Sequence, residues 1–186
     1  MPINKQAVLQ ELLVLRCKRG EHQAFEQLIR KWQWRLFYFL RRLVSSEEDA
    51  WDVLQQVWLK VFKGIKSLSE AQNLPTWLYR IARFTAMSHL RGQYKAQALM
   101  EENSDLEGVA VVEEDFCCED AQRVHCALSR ISLTHREVLT LFFLNDLSLN
   151  QIAEVLDIPI GTVKSRLCYA KRSLRSVLEQ EELSHE

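Results

Sequence analysis

Glycine and proline are scarce, with five and three in 186 residues. A turn-rich β architecture needs many more of both, so the chain is expected to be helical. Long apolar runs are missing too. No stretch approaches the roughly 18 residues that cross a bilayer; Trp34-Arg35-Leu36-Phe37-Tyr38-Phe39-Leu40 is broken early and ends at Arg41-Arg42. The start Met1-Pro2-Ile3-Asn4-Lys5 lacks the basic-then-apolar layout of a secretory signal. The expectation is a cytoplasmic protein with no membrane insertion. Cys17, Cys117, Cys118, Cys126 and Cys168 are odd in number and irregular in spacing, which is no disulfide framework and agrees with reduced thiols. Catalytic signatures are absent as well: no phosphate-cradling glycine loop, no HExxH pair, no nucleophile elbow. The chain does not read as an enzyme, and no cofactor is expected.

What is present is charge, kept in separate places. The formal sum is −1, which taken alone argues against a nucleic-acid partner. Between residues 71 and 100, however, stand Arg80, Arg83, Arg91 and Lys95 with no acid. Nine acids and no base follow between residues 101 and 120, and from Gly161 to Leu178 there are five cations and again no acid. An acidic run without periodicity reads as a solvated linker. It divides the chain into a domain over 1–96, a flexible acidic linker over 97–118 and a second domain over 119–186.

Apolar spacing is helical throughout. Ala50, Val53, Leu54, Val57, Trp58, Val61 and Phe62 trace one face of a helix that starts after Ser46, a capping position, and stops at Gly64. Upstream, helices are predicted over about 4–19 and 22–43, and another from Pro75 or Thr76 to about Tyr94. The second domain is predicted to begin with a helix over 120–130. Capping boxes at Thr134-His135-Arg136-Glu137 and Ser148-Leu149-Asn150-Gln151 mark two further starts, and a last helix begins at Gly161-Thr162. The fold class is all-α, in two small helical domains.

Residues 148–178 carry most of the chemistry. A short helix, a turn at Asp157-Ile158-Pro159-Ile160 and a longer helix make a helix-turn-helix, with small Ala153 allowing a close crossing. Ile152, Ala153, Leu156, Val163, Leu167, Ala170 and Leu174 point inward. Thr162, Lys164, Ser165, Arg166, Tyr169, Arg172 and Arg175 remain outside, a set of cations and hydroxyls suited to a major groove. The strings Leu149-Asn150-Gln151-Ile152-Ala153, Ile158 to Leu167 and Ala170-Lys171 resemble the fourth domain of bacterial RNA polymerase sigma factors, in the two-domain extracytoplasmic-function (ECF) group. The resemblance implies that Thr162, Lys164, Ser165, Arg166, Tyr169 and Arg172 read the minus-35 promoter element. Tyr169 stands where the family usually has Arg.

Two segments of the first domain resemble the same family. Glu48-Asp49-Ala50-Trp51-Asp52-Val53-Leu54-Gln55-Gln56 is similar to its polymerase-docking helix, which implies core-polymerase contacts from Asp49, Asp52, Gln55 and Gln56. Thr76-Trp77-Leu78-Tyr79-Arg80-Ile81-Ala82-Arg83 is similar to the segment leading into the minus-ten-reading helix. The resemblance implies minus-ten DNA contacts from Ser67, Asn73, Arg80, Arg83, Phe84, Met87 and Arg91, with the loop 67–73 receiving a flipped base. Trp77 and Ile81 share the apolar stripe and belong to the core, while His89 is a candidate DNA contact. The implied partners are core RNA polymerase, through its clamp and flap regions, promoter DNA and an anti-sigma factor. The resemblance covers about residues 8–95 and 119–178.

Other readings compete. Cys117, Cys118, His125 and Cys126 could be drawn as a metal site, but their spacing fits no common zinc pattern and no metal is expected. A helix-turn-helix regulator that works without polymerase docking is the alternative function. It would need a dimer interface or ligand pocket in the first domain, where the Asp/Gln helix stands instead.

Overall fold

The computed structural model describes residues 5–101, 124 and 126–184, and every regular element among them is helical. The first domain consists of α1 (Lys5–Lys18), α2 (His22–Arg41), α3 (Glu47–Gly64) and α4 (Leu74–Glu101), with 3-10 turns at Ile65–Ser67 and Ala71–Asn73 between the last two. In the second, residues 126–129 are helical, and α5 (Leu133–Leu139) continues as a π-helical turn over Thr140–Leu144. Next come α6 (Leu149–Leu156) and α7 (Ile160–Ser184).

Local chemistry explains most of the ends. Gly20 at φ +82° closes α1 in the left-handed conformation that glycine adopts without cost. Ser46 caps α3, its Oγ accepting from the Asp49 N–H at 3.0 Å. At Gly64, the last residue of α3, a Cβ would lie 3.3 Å from the Trp77 ring, so glycine lets that ring pack closely across the helix end. At Ser148 the full capping box forms, the Ser148 Oγ accepting from the Gln151 N–H and the Gln151 Oε1 accepting from the Ser148 N–H. Asp157 at φ 56° turns the chain from α6 toward α7, a conformation that short polar Asp tolerates.

Two boundaries differ from expectation. α4 runs past Tyr94 to Glu101, because Lys95-Ala96-Gln97-Ala98-Leu99-Met100 contains only good helix formers and no breaker. α5 is capped by Ser132, whose Oγ accepts from the His135 N–H, so Thr134 lies inside the helix. Glu137 is thereby freed from a capping box and turned into the core. The helix expected over 120–130 falls mostly outside the described residues.

The core is continuous across both domains, from Leu28, Leu36, Phe39 and Leu78 to Leu141, Ile152 and Val163. Tyr79 sits at its centre, edge-on to Phe39 at 5.3 Å and to Trp32 at 6.2 Å. Trp77 and Ile81 pack against this core, as their place on the apolar stripe implied.

Helices α3 and α4 are also braced by charge. The Asp49 carboxylate accepts from Ser46 Oγ at 2.7 Å and Gln93 Nε2 at 2.9 Å, and lies 2.8 Å from His89 Nε2. Partial burial opposes its ionisation, but the hydrogen bonds from Ser46, His89 and Gln93 outweigh that and hold its pKa below the ordinary 3.8.

Two predictions follow from these contacts. Replacing the cap by Ser148→Ala should cost about 1 kcal/mol, read as a fall in Tm of about 2–4 °C. A carboxyl with a lowered folded pKa contributes stability above its unfolded value and loses it as pH falls toward the folded one. The stability gap between the wild type and Asp49→Asn, measured by urea unfolding, should therefore be full at pH 6 and shrink as pH falls below 3.8.

Candidate polymerase and promoter interface

Helix α3 buries Ala50, Val53, Leu54 and Val57 and turns Asp52, Gln55 and Gln56 to solvent. These three make an unobstructed polar face. Asp49, expected on the same face, is half-buried and its carboxylate is committed to Ser46, His89 and Gln93. His89, a candidate DNA contact, is held by Asp49 instead.

Beside the polar face lies an aromatic patch that sequence reasoning missed. Trp51 stacks on Phe37 at 4.2 Å and meets Trp34 edge-on at 5.7 Å, while Trp34 lies 6.3 Å from Tyr38. Trp34 is 51% exposed and Tyr38 44%. The signal was present in the sequence: Trp34, Phe37 and Tyr38 fall at i, i+3 and i+4, but the opposite side of α2 already supplies the core-facing Trp32, Leu36, Phe39 and Leu40.

The minus-ten candidates occupy one edge of α4 and the loop before it. Ser67 and Asn73 are exposed and tied locally, Ser67 Oγ to the Gly64 carbonyl at 2.8 Å and Asn73 Nδ2 to Glu70 Oε2 at 3.3 Å. Arg80 and Arg91 are exposed, and Met87 is half-buried. Phe84 is 62% exposed, with the Lys60 ammonium 5.4 Å from its ring centre. An exposed ring beside a cation can stack on a nucleobase and hold its phosphate. Arg83 is not free in this arrangement. Its Nε donates to Glu137 Oε1 at 2.8 Å, and the Glu137 side chain is only 2% exposed. Burial pushes the Glu137 carboxyl pKa up, opposed by Arg83 and Arg166.

On α7 the buried line is Val163, Leu167 and Ala170. Lys164, Ser165, Tyr169 and Arg172 are exposed, and Thr162 and Arg166 half-buried. Four of these six, Thr162, Lys164, Ser165 and Arg166, lie within two turns of the helix start, where the unpaired N–H groups and the macrodipole favour phosphate. Arg175, also expected outside, donates to Glu179 at 2.7 Å on the same helix. Tyr169 is 59% exposed and presents a flat ring among cations.

Sequence reasoning also missed an apolar groove of about 540 Å³ on the second domain, lined by Leu128, Phe143, Leu144, Leu174 and Leu178. The Lys171 ammonium lies over the rings of Phe142 and Phe143 at one end. Leu141-Phe142-Phe143-Leu144 was the available clue, since four consecutive apolar residues on a helical turn cannot all face one core. Cys117, Cys118 and His125 lie outside the described residues, and Cys126 is exposed. Among the described residues, no three His, Cys, Asp or Glu side chains are grouped to hold a metal ion.

Residues 28–96 match the sigma-70 region 2 family and residues 121–174 match sigma-70 region 4. The RNA polymerase sigma-H factor of Pseudomonas aeruginosa is 30% identical, over 90% of this chain and 92% of its own. The ECF RNA polymerase sigma-E factor of Haemophilus influenzae is 29% identical, over 91% and 95% respectively. Among solved structures, the sigma factor RpoE of Bartonella quintana, in complex with the anti-sigma factor NepR, superimposes with a TM-score of 0.72 at 26% identity, covering 83% of this chain and 96% of that one. With two matched domains in the family's order and full-length relatives on both sides, the chain belongs to the extracytoplasmic-function group of RNA polymerase sigma factors.

Proposed function

We propose that this sigma factor docks on core RNA polymerase through the α3 face of Asp52, Gln55 and Gln56, and reads its promoter with α4 and α7. Sigma factors bind the core enzyme, direct it to promoters and start transcription. They are not themselves catalysts. The observation that carries the assignment is α7. It is the second helix of a helix-turn-helix, and every charged side chain from Gly161 to Leu178 is a cation.

The division of labour follows from side-chain chemistry. Arg166, Lys164 and Ser165 supply donors to base edges and phosphates of the minus-35 element. Arg80, Arg91 and Phe84 hold the minus-ten strand once its bases unstack, and the loop 67–73 takes up a flipped base. Opening costs a few kcal/mol per unstacked base, recovered in stacking and phosphate contacts. Trp34, Tyr38 and Trp51 extend the docking face with large, rigid contact area of the kind that anchors interfaces. The groove beside Phe143 and Leu144 suits the apolar face of a partner helix, from the polymerase flap or from an anti-sigma factor of the sort bound by the Bartonella relative. Residues 1–96 form the polymerase-docking and minus-ten domain, residues 119–186 the minus-35 domain. The chain works in the cytoplasm, and among the described residues no helix is long and apolar enough to cross a membrane.

The test is reconstitution with core polymerase, followed by mapping of transcript starts on genomic DNA. Co-elution with the core and discrete starts are expected. DNA binding without co-elution would point to a regulator that acts alone. Asp52→Lys combined with Gln55→Ala should abolish co-elution while stability stays within about 0.5 kcal/mol, as for exposed positions generally. Arg166→Ala should cost about 1–3 kcal/mol of promoter affinity, measured by titrating holoenzyme on a minus-35 duplex.

A further inference from the structure

We infer that the DNA-facing stripe of α4 runs on past the minus-ten residues to Tyr94 and Lys95, and that these two grip backbone phosphates of the duplex just upstream of that element. The inference rests on the assignment of α4 to the minus-ten element and α7 to the minus-35 element. At about 100° per residue, Arg80, Phe84, Met87, Arg91, Tyr94 and Lys95 fall in one sector of α4 about 100° wide. Tyr94 is 70% exposed, more than Phe84 at 62%. Arg91 and Lys95 are exposed as well.

The rest of the helix sets which way this stripe points. On the far side of the same turns, His89 Nε2 lies 2.8 Å from the Asp49 carboxylate, and Gln93 Nε2 donates to it at 2.9 Å. Both contacts anchor α4 to α3. Leu78, Ala82, Thr85 and Ala86 are buried on that side, so the stripe faces away from the core. Its charge is of one sign, since no acid stands between residues 71 and 100. The first acid is Glu101, about 9 Å beyond Lys95 at 1.5 Å per residue, and it sets the far limit of the stripe.

Length and direction identify what the far end meets. From Arg80 to Lys95 the stripe covers about 22 Å, roughly six base pairs at 3.4 Å each. Arg80 and Phe84 hold the opened strand at its start. The chain leaves the other end of α4 for the domain that reads the minus-35 element, so that end points upstream, where the promoter is still paired. Paired bases are already stacked, and the Tyr94 ring has no free base face to cover. Its hydroxyl is left to donate to a phosphate oxygen, and Lys95 adds a compact point charge. Phosphate contacts fix register without reading sequence. This end of α4 therefore sets where the minus-ten face sits on the DNA.

Holoenzyme reconstituted from the full chain and core polymerase tests this on a promoter located by its transcript start. Lys95→Ala should lower the slope of log affinity against log salt by about 0.9, and the loss should be the same whatever bases fill the six upstream pairs. Tyr94→Phe, which keeps the ring and loses the hydroxyl, should weaken binding as much as Tyr94→Ala. An unchanged slope overturns the inference. So does a loss that varies with the upstream bases, or a Tyr94→Phe variant that binds like wild type. Failure of the functional reading has a different signature, wild-type holoenzyme that binds no promoter at all, and it removes the inference too.

A second measurement alters the DNA and leaves the protein intact. Neutral methylphosphonate linkages replace the phosphates of the six pairs upstream of the minus-ten element. Wild-type holoenzyme should lose affinity on this duplex, and its advantage over Lys95→Ala should vanish there. The same linkages placed downstream of the minus-ten element should leave that advantage in place. If wild type binds the neutral upstream duplex as tightly as the natural one, Tyr94 and Lys95 do not grip its phosphates and the proposal is lost.

Discussion

One buried carboxylate sets the terms for the rest of this molecule. Glu137 has a side chain only 2% exposed, among Val138, Leu141 and the residues of a continuous apolar core. An ionised carboxyl there needs a cation, because removing one partner of a buried pair typically costs about 3–5 kcal/mol. Arg83 from α4 supplies the hydrogen bond, and Arg166 from α7 adds its field. Helices from opposite ends of the chain are drawn together by the need to match one charge. The neighbouring Arg136 reaches the other way, to the carbonyls of Ser129, Ile131 and Arg42, so one turn of α5 ties its own domain and grips the other.

The net charge of −1 is the wrong quantity for judging such a protein. Affinity for DNA follows the number of phosphates that local cations neutralise, and the segments 71–100 and 161–178 carry cations without acids. Thirteen of the 25 acids are gathered between residues 101 and 120 and after residue 178, outside those two segments. Neutrality overall is consistent with two basic surfaces, provided each basic segment is a separate helix with its own solvated side. α4 and α7 meet that condition.

How much of this could be read in the sequence depended on how far apart the interacting residues lie. The helix-turn-helix was legible because its determinants are local: the box at Ser148 and Gln151, the turn through Asp157, and buried residues at helical spacing. The ends of α3 were legible for the same reason. The pairing of Asp49 with His89 and Gln93 was not, since an acidic residue in a first turn looks alike whether it faces solvent or a helix forty residues on. Glu137 misled in a related way. Thr134-x-x-Glu137 satisfies a capping pattern, but Ser132 offers an equivalent hydroxyl one half-turn earlier, and burying α5 against α4 decides between them. Exposure of Phe143, Trp34 and Tyr38 was equally hidden, because periodicity counts apolar residues without saying which face the rest of the chain will cover.

The same kind of long-range contact ties the proposed docking face on α3 to the proposed minus-ten face on α4. Asp49 stands one turn before Asp52 on α3, and its carboxylate grips His89 and Gln93 on α4. From there α4 leads back through Met87 and Phe84 to Arg83 and Arg80. A partner that grips α3 therefore sets the position of α4 through a short, partly buried chain of hydrogen bonds rather than through a mobile loop. Lys60 makes a second tie of this kind, donating to Thr85 Oγ1 at 2.9 Å while its ammonium sits beside the Phe84 ring. α3 and α4 are thus tied to each other at both points, near the Asp49 end and near the Lys60 end of α3.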